Sequence, residues 1–154
     1  MSTDAKAPLS ERIHEVFSDH GMLSRSEDFE FRAEQQQMAV KVAAALERDR
    51  CLVVEAGTGV GKTFSYLVPA LLGGTRVLLS TATKTLQDQL FWRDLPQLVH
   101  ALGLPVRCAL LKGRASYLCL HRLAQARQSA QWPDRGALRT LAKIEQWSHA
   151  TRSG

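Results

Sequence analysis

A glycine-rich stretch, EAGTGVGKT at residues 55–63, has the residue types and spacing that could perform chemistry. Glycines at 57, 59 and 61 allow the backbone to turn its N–H groups inwards around an anion, a path that side chains would obstruct. Lys62 supplies a mobile positive charge for the β- and γ-phosphates of a nucleotide, and the Thr63 hydroxyl can ligate magnesium. The stretch therefore predicts a phosphate-binding loop.

The strict form of this motif is G-x-x-x-x-G-K-[ST], and the chain departs from it at the first position, where Ala56 stands. The apolar run CLVV precedes the loop and FSYLVPALL follows it, so the loop lies between an expected strand and an expected helix. The N-terminus of that helix adds partial positive charge. The expected nucleotide contacts are Ala56, Gly57, Thr58, Gly59, Val60, Gly61, Lys62 and Thr63, with Lys62 and Thr63 in catalytic roles.

Polar segments lie on both sides of the loop in the sequence. Upstream, Arg32 and Gln35 precede a helix, and a glutamine amide can pair with the adenine edge as donor and acceptor together; the alternative is a solvent-facing glutamine. Downstream, Ser80, Thr81 and Thr83 lie where an expected strand gives way to a helix, which suits contacts to nucleic-acid phosphates. The alternative there is an ordinary N-cap by Thr83.

The apolar pattern predicts the elements that position these residues. Expected helices are a short amphipathic one near the N-terminus and others at 34–48, 61–72, 84–92, after Pro96, 118–128 and 136–148. Expected strands, each short and continuously apolar, are at 51–54, 77–80 and 106–111. Strands alternating with helices imply a parallel α/β sheet with right-handed crossovers. We therefore expect an N-terminal helix and linker at 1–28, an α/β domain at 29–111, and a helical insertion at 112–154.

Composition and charge limit the class of protein. A chain of 154 residues with 45% apolar residues is about one globular domain, and its apolar runs are too short for a membrane span or a signal peptide, so we expect a cytoplasmic protein without a membrane partner. Three cysteines without paired spacing argue against disulfides, and Cys51 and Cys108 are expected to be buried in strands. Residues 105–154 carry 9 basic and 2 acidic side chains, which is either a solvated face or a surface for a polyanion.

Four segments in order, RAEQQQM, EAGTGVGKT, STATKTLQDQL and LLKGRASYLC, resemble the N-terminal part of the DinG-type, XPD-like iron-sulfur DNA helicases of superfamily 2, in the YoaA-like branch. The resemblance covers about residues 29–154. It implies that Gln35 reads adenine and that Thr81, Thr83 and Gln87 contact single-stranded DNA. It also implies that Cys119 is the first of four cysteines that hold a [4Fe-4S] cluster.

The resemblance further implies a RecA-like motor domain that hydrolyses ATP with magnesium and moves 5′ to 3′ along single-stranded or forked DNA, in DNA repair or replication stress. Alanine at the first loop position is usual in this family. Lys112 and Arg114, with Arg122 and Arg127, would then line the DNA path. Two alternatives remain: a related RNA helicase, and a non-catalytic nucleotide-binding or partner-binding module. Because the chain has no Walker B acidic pair, we expect it to be inactive when isolated. Because its apolar strands would lack neighbours in a parallel sheet, we also expect it to be poorly folded or to aggregate alone.

Overall fold

The structure is a computed structural model that describes residues 7–25, 29–129 and 134–151. Within these residues the chain forms helices and connecting segments, with no β-strand. It divides into two compact units, Met1–Ala109 and Leu110–Gly154. The predicted N-terminal linker ends at residue 28 and so lies partly outside the described residues.

The helices of the first unit follow the predicted order. They are α1 (Leu9–Val16), α2 (Ala33–Glu47), α3 (Lys62–Leu72), α4 (Lys84–Gln89) and α5 (Leu95–Leu102). A 3₁₀ turn spans Leu23–Arg25, and a π-helical turn, Leu90–Asp94, joins α4 to α5 without a break. The predictions of helices at 34–48 and 61–72 are confirmed to within a residue at each end.

The core of the first unit lies where α1, α2 and α3 meet. Ile13 from α1 and Leu67 from α3 are fully buried in it. The facing surface of α2 presents Ala39 and Ala43, which are four residues apart and therefore on one side of the helix. Small side chains at these positions let the three helices approach closely, so α2 is fixed against the start of α3.

Polar contacts hold α1 to the far ends of its neighbours. The backbone N–H and the hydroxyl of Ser10 both donate to the carboxylate of Glu47, at 3.2 and 3.1 Å. The Arg12 guanidinium donates to the Leu72 carbonyl at 3.3 Å, at the C-terminus of α3, where a positive charge is favourable. These contacts hold the first turn of α1 against the C-terminal ends of α2 and α3.

The three predicted strands form no ladder among the described residues, which corrects the expectation of a sheet within this chain. Val53 is 96% exposed and Leu78 is 93% exposed, so these apolar segments are uncovered on the faces that a parallel sheet buries. A strand acquires its hydrogen bonds only from a neighbouring strand, and no two of these segments pair with each other. The expectation that Cys51 and Cys108 are buried is wrong for the same reason, because both thiols are exposed.

The second unit contains a 3₁₀ turn, Arg114–Ser116, and two helices, α6 (Leu120–Gln128) and α7 (Arg135–Ala150). The Asp134 carboxylate accepts from the Ala137 N–H at 2.7 Å and so starts α7. Arg127 on α6 pairs with Glu145 on α7 at 2.8 Å. In the part of the chain that the structure describes, no helix has the length and hydrophobicity needed to cross a membrane.

Candidate nucleotide-binding site

The glycine-rich loop leads directly into α3, which begins at Lys62. Gly59 and Gly61 have φ angles of +87° and +82°, in the left-handed region, where an L-residue loses roughly 1–2 kcal/mol. Gly61 is the N-cap residue of α3, so the first N–H groups of the helix lack intrahelical acceptors and remain available to an anion. The sequence therefore builds an anion-binding turn where the phosphate loop was predicted.

The Lys62 side chain lies back over the loop. Its ammonium donates to the carbonyls of Ala56 at 2.9 Å and Gly57 at 2.6 Å. The two carbonyls are neutral acceptors, whereas a phosphate oxygen carries negative charge and adds a direct attraction between opposite charges. A nucleotide phosphate would therefore compete well for this ammonium, which fits the predicted role of Lys62.

Two buried side chains meet the Gly61 carbonyl from outside the loop. The Gln35 amide, 5% exposed, donates to it at 3.1 Å. Ser65, fully buried on the next turn of α3, reaches the same carbonyl at 3.3 Å and the Gln35 carbonyl at 3.1 Å. A β-carbon on Gly61 would overlap the Gln35 amide nitrogen. The alternative of a solvent-facing Gln35 is therefore wrong. The contact of Gln35 with adenine stays a prediction.

Arg32 contacts the loop from the residue before α2. Its guanidinium donates to the Gly59 carbonyl at 2.7 Å, and the other terminal nitrogen pairs with Glu30 at 2.7 Å. Arg32 and Gln35, which were predicted to bind nucleotide, therefore both contact carbonyls of the phosphate loop. The start of α2 and the loop form one hydrogen-bonded assembly.

Thr63, the expected magnesium ligand, has a polar neighbour on its own helix. Tyr66 and Thr63 share a hydrogen bond between their side chains. Burial raises the pKa of the Tyr66 phenol, the Thr63 hydrogen bond lowers it, and the charge of Asp94 raises it. The Tyr66 hydroxyl thus stays protonated near neutral pH and can keep its hydrogen bond with Thr63.

Asp94 is a buried carboxylate, 4% exposed, at the end of the π-helical turn. It accepts from the Arg93 guanidinium at 2.9 Å and from the Gln89 amide at 3.2 Å. Asp94 also borders a cavity of about 290 Å³ whose lining includes Phe64 and Gln97. None of the residues that line this cavity belongs to the predicted phosphate loop, so it is separate from the nucleotide site.

The segment predicted to contact DNA forms a capped helix start. The Thr83 hydroxyl accepts from the Leu86 N–H at 3.2 Å, so Thr83 is the N-cap of α4. The Thr81 hydroxyl donates to the Thr83 carbonyl at 3.2 Å, and Gln87 lies one turn further along α4. The N-cap alternative is confirmed, and DNA contacts by Thr81, Thr83 and Gln87 stay predictions.

The remaining predicted residues belong to the second unit. Arg114 is exposed at its 3₁₀ turn, and the Lys112 N–H donates to the Tyr117 hydroxyl at 2.8 Å. Cys119 is a free, exposed thiol at the N-cap of α6. A [4Fe-4S] cluster requires four thiolates, and the described residues contain no group of three or more His, Cys, Asp or Glu side chains that could hold a metal. The described residues therefore do not form an iron-sulfur site by themselves.

Sequence reasoning missed Ser65 as part of the site. The signal was a hydroxyl within the otherwise apolar run FSYLVPALL, four residues after Gly61 and hence on the same side of α3. A polar residue at a buried helix position needs a partner, and here the partners are carbonyls of the loop and of α2.

A glycine-rich turn that opens a helix and presents a lysine and a threonine defines a P-loop nucleotide-binding protein. Residues 33–132 match the family model described as DEAD/DEAH box helicase. The chain therefore belongs to the DEAD/DEAH box helicase family.

Curated relatives agree with this assignment and with the resemblance noted from the sequence. The chain is 47% identical over 144 residues to the ATP-dependent DNA helicase YoaA of Haemophilus influenzae, a match that covers 93% of this chain and 22% of that protein. The corresponding Escherichia coli protein is 45% identical over 90% of this chain and 22% of its own length. The ATP-dependent helicase DinG of Mycobacterium tuberculosis is 53% identical over 60% of this chain and 15% of its own length. The chain thus spans about a fifth of the first two relatives, and no solved structure matches it significantly.

Proposed function

We propose that the protein is an ATP-dependent DNA helicase and that this chain is its nucleotide-binding part. The observation that carries the proposal is the loop from Ala56 to Gly61, with two left-handed glycines and the Lys62 ammonium lying across its carbonyls. Relatives named as ATP-dependent DNA helicases support the choice of ATP and DNA among the many reactions that P-loop proteins perform.

In the proposed mechanism the loop binds and orients the nucleotide. N–H groups at the start of α3 donate to phosphate oxygens, and Lys62 exchanges its two carbonyl partners for the β- and γ-phosphates. The Thr63 hydroxyl is the residue of this chain that would ligate magnesium, which neutralises phosphate charge when bound. Gln35 would read the adenine edge with the amide capacity that its bond to Gly61 leaves free. The attacking water and the Walker B carboxylates are assigned to the rest of the protein.

We further propose that the exposed apolar segments around Val53 and Leu78 are strands of a RecA-like parallel sheet that the rest of the protein completes. Both segments are short, rich in β-branched or leucine side chains, and joined by the helix α3, which is the pattern of a buried parallel sheet. The chain spans only 22% of each of the two YoaA relatives, which is consistent with partner strands from elsewhere in the protein. A sheet built on these segments would cover the Val53 side chain.

The DNA-related assignments are proposals of the same kind. Thr81, Thr83 and Gln87 at the start of α4 would contact the phosphates of single-stranded or forked DNA, and Lys112 and Arg114 would supply positive charge along its path. Cys119 would be one of four thiolate ligands of a [4Fe-4S] cluster, the other three being contributed from outside this chain. We also propose that the protein moves from 5′ to 3′ along DNA, acts in DNA repair or replication stress, and is located in the cytoplasm.

The test is DNA-stimulated ATP hydrolysis by the intact protein that contains this chain. The Lys62→Ala variant should lose turnover while DNA binding is retained, because the substitution removes charge stabilisation of the transferred phosphoryl group and no packing. Lys41→Ala, on the exposed face of α2, is the matched control and should keep the parent rate. Hydrolysis by Lys62→Ala within a few fold of the parent would refute the assignment of the loop.

The same preparation separates the alternatives. A helicase of the proposed kind unwinds a forked DNA substrate, a related RNA helicase unwinds only an RNA duplex, and a non-catalytic module binds ATP without turnover. Unwinding of DNA that disappears in Lys62→Ala but not in Lys41→Ala is the expected result.

A further inference from the structure

Ser65 is a fully buried hydroxyl that no packing argument requires. It lies on the first turns of α3 with two backbone carbonyls in reach, that of Gln35 at 3.1 Å and that of Gly61 at 3.3 Å. A hydroxyl has one proton to donate, so Ser65 shares it between an acceptor on α2 and an acceptor at the end of the phosphate loop. The side chain therefore links the two elements that meet at the predicted nucleotide site.

The Gly61 carbonyl is the point where these contacts converge. It accepts from the Gln35 amide at 3.1 Å and from the Ser65 hydroxyl at 3.3 Å. It also accepts from the backbone N–H groups of Phe64 at 3.1 Å and Ser65 at 3.3 Å. All four donors come from α2 or from α3 beyond the loop. These donors therefore hold the Gly61 C=O pointing towards Gln35 and the body of α3.

A fixed carbonyl also fixes the N–H of the same peptide bond. The peptide between Gly61 and Lys62 is trans, as are all described peptide bonds, and a trans peptide is planar, with its C=O and N–H pointing in opposite directions. Holding the C=O of Gly61 towards Gln35 and Ser65 therefore turns the N–H of Lys62 away from them. That N–H belongs to the first residue of α3, where no intrahelical acceptor exists.

We propose that Ser65 is a positioning residue for the phosphate loop: together with the Gln35 amide it holds the Gly61–Lys62 peptide so that the Lys62 N–H donates to a nucleotide phosphate. The inference deepens the proposed function and rests on it. Ser65 touches neither nucleotide nor magnesium, and its effect passes through the orientation of one peptide. The ligand affected is the phosphate chain and not the base.

The experiment compares the phosphate chain with the base as separate probes. In the intact protein, dissociation constants are measured for inorganic tripolyphosphate, ADP and adenosine. Ser65→Ala removes one hydroxyl without adding bulk, and it should weaken tripolyphosphate and ADP by about 3- to 10-fold, the loss expected for one hydrogen bond, while adenosine changes by less than about 2-fold. Ser18→Ala, whose hydroxyl donates to the Glu15 carbonyl at 2.7 Å, is the control and should match the parent for all three probes.

A second variant separates the effect of the Ser65 hydrogen bond from the effect of filling the space that its side chain occupies. Ser65→Cys keeps a side chain of similar shape with a weak S–H donor, so its tripolyphosphate affinity should fall between those of the parent and Ser65→Ala. Parent affinity for tripolyphosphate in Ser65→Ala, or an equal loss for adenosine and tripolyphosphate, would overturn the inference and leave the proposed function standing. A parent protein that binds none of the phosphate-bearing probes would overturn both.

Discussion

Replacing Gly61 by alanine should disrupt the phosphate loop far more than the same change at Gly59, although both glycines have nearly equal left-handed φ angles of +82° and +87°. The difference lies in what a β-carbon would meet. At Gly59 nothing lies within 4 Å, whereas at Gly61 the new carbon would overlap the amide nitrogen of Gln35. The pair of variants therefore isolates the contact between loop and α2 from the conformational preference that both positions share.

The expected magnitudes follow from these two terms. The left-handed conformation costs an alanine roughly 1–2 kcal/mol at either position. At Gly61 the Gln35 amide must also move away, which leaves buried polar groups without partners at a cost of roughly 1–3 kcal/mol. Gly59→Ala should then cost about 1–2 kcal/mol and Gly61→Ala about 2–5 kcal/mol, because the two terms add.

Hydrogen exchange of the α3 amides in the intact protein measures these costs locally. Protection should fall by roughly 5- to 30-fold in Gly59→Ala and by about 30-fold or more in Gly61→Ala. In a Gln35→Ala background the collision partner is absent, so the cost of Gly61→Ala should drop to that of Gly59→Ala. Equal losses for both glycine variants, or no coupling between Gly61 and Gln35, would refute the contact as the cause.

Three further predictions concern other parts of the chain. Burial raises the pKa of Tyr66 above 10.0, so above about pH 10 the folded state retains a proton that the unfolded state releases, and the free energy of unfolding decreases as the pH rises. In urea unfolding, the free energy of unfolding of Tyr66→Phe should decrease less steeply with pH than that of the parent. Equal pH dependence in the two proteins would contradict this. Residues 1–154 expressed alone should aggregate through their uncovered apolar segments. The double variant Val53→Lys, Leu78→Lys should have a larger monomeric fraction, measured by light scattering. A parent fragment that is monomeric and melts cooperatively would disprove this prediction. Iron measured after anaerobic purification of the intact protein should be lost in Cys119→Ser and kept in Cys51→Ser, and full iron in the former would return Cys119 to an ordinary thiol.

The helices were predictable because their signals are local. Apolar residues at helical spacing marked α2, and the helix expected at 61–72 ends at Leu72, where two glycines follow. The glycines of the loop were expected to let the backbone turn around an anion, and Gly59 and Gly61 have the left-handed φ angles that such a turn uses. These features depend on neighbours within a few residues, so the sequence nearby contains the information.

The sheet could not be predicted in the same way, because pairing depends on partners that are distant in sequence. The apolar runs at 51–54 and 77–80 have the composition of buried strands and are exposed in this chain, since burial requires neighbours that the described residues do not provide. The hydrogen bond from Gln35 to the Gly61 carbonyl could not be predicted for a related reason. The burial of Gln35 results from the approach of α3 to α2, and the residues around Gln35 alone do not determine that approach.

The π-helical turn between α4 and α5 has a consequence for the length of this segment. A π turn contains one more residue than an α turn for nearly the same advance along the helix axis. The side chains after it therefore point in the same directions as in a continuous α-helix from which one residue has been removed. Because of this extra residue, Leu90 in the turn and Leu98 after it can both face the core, and both are buried. A deletion of one residue between Leu90 and Asp94 should thus be absorbed by conversion of the turn to α-helix, whereas the same deletion within α5 would rotate the following side chains by about 100° and turn Leu102 out of the core.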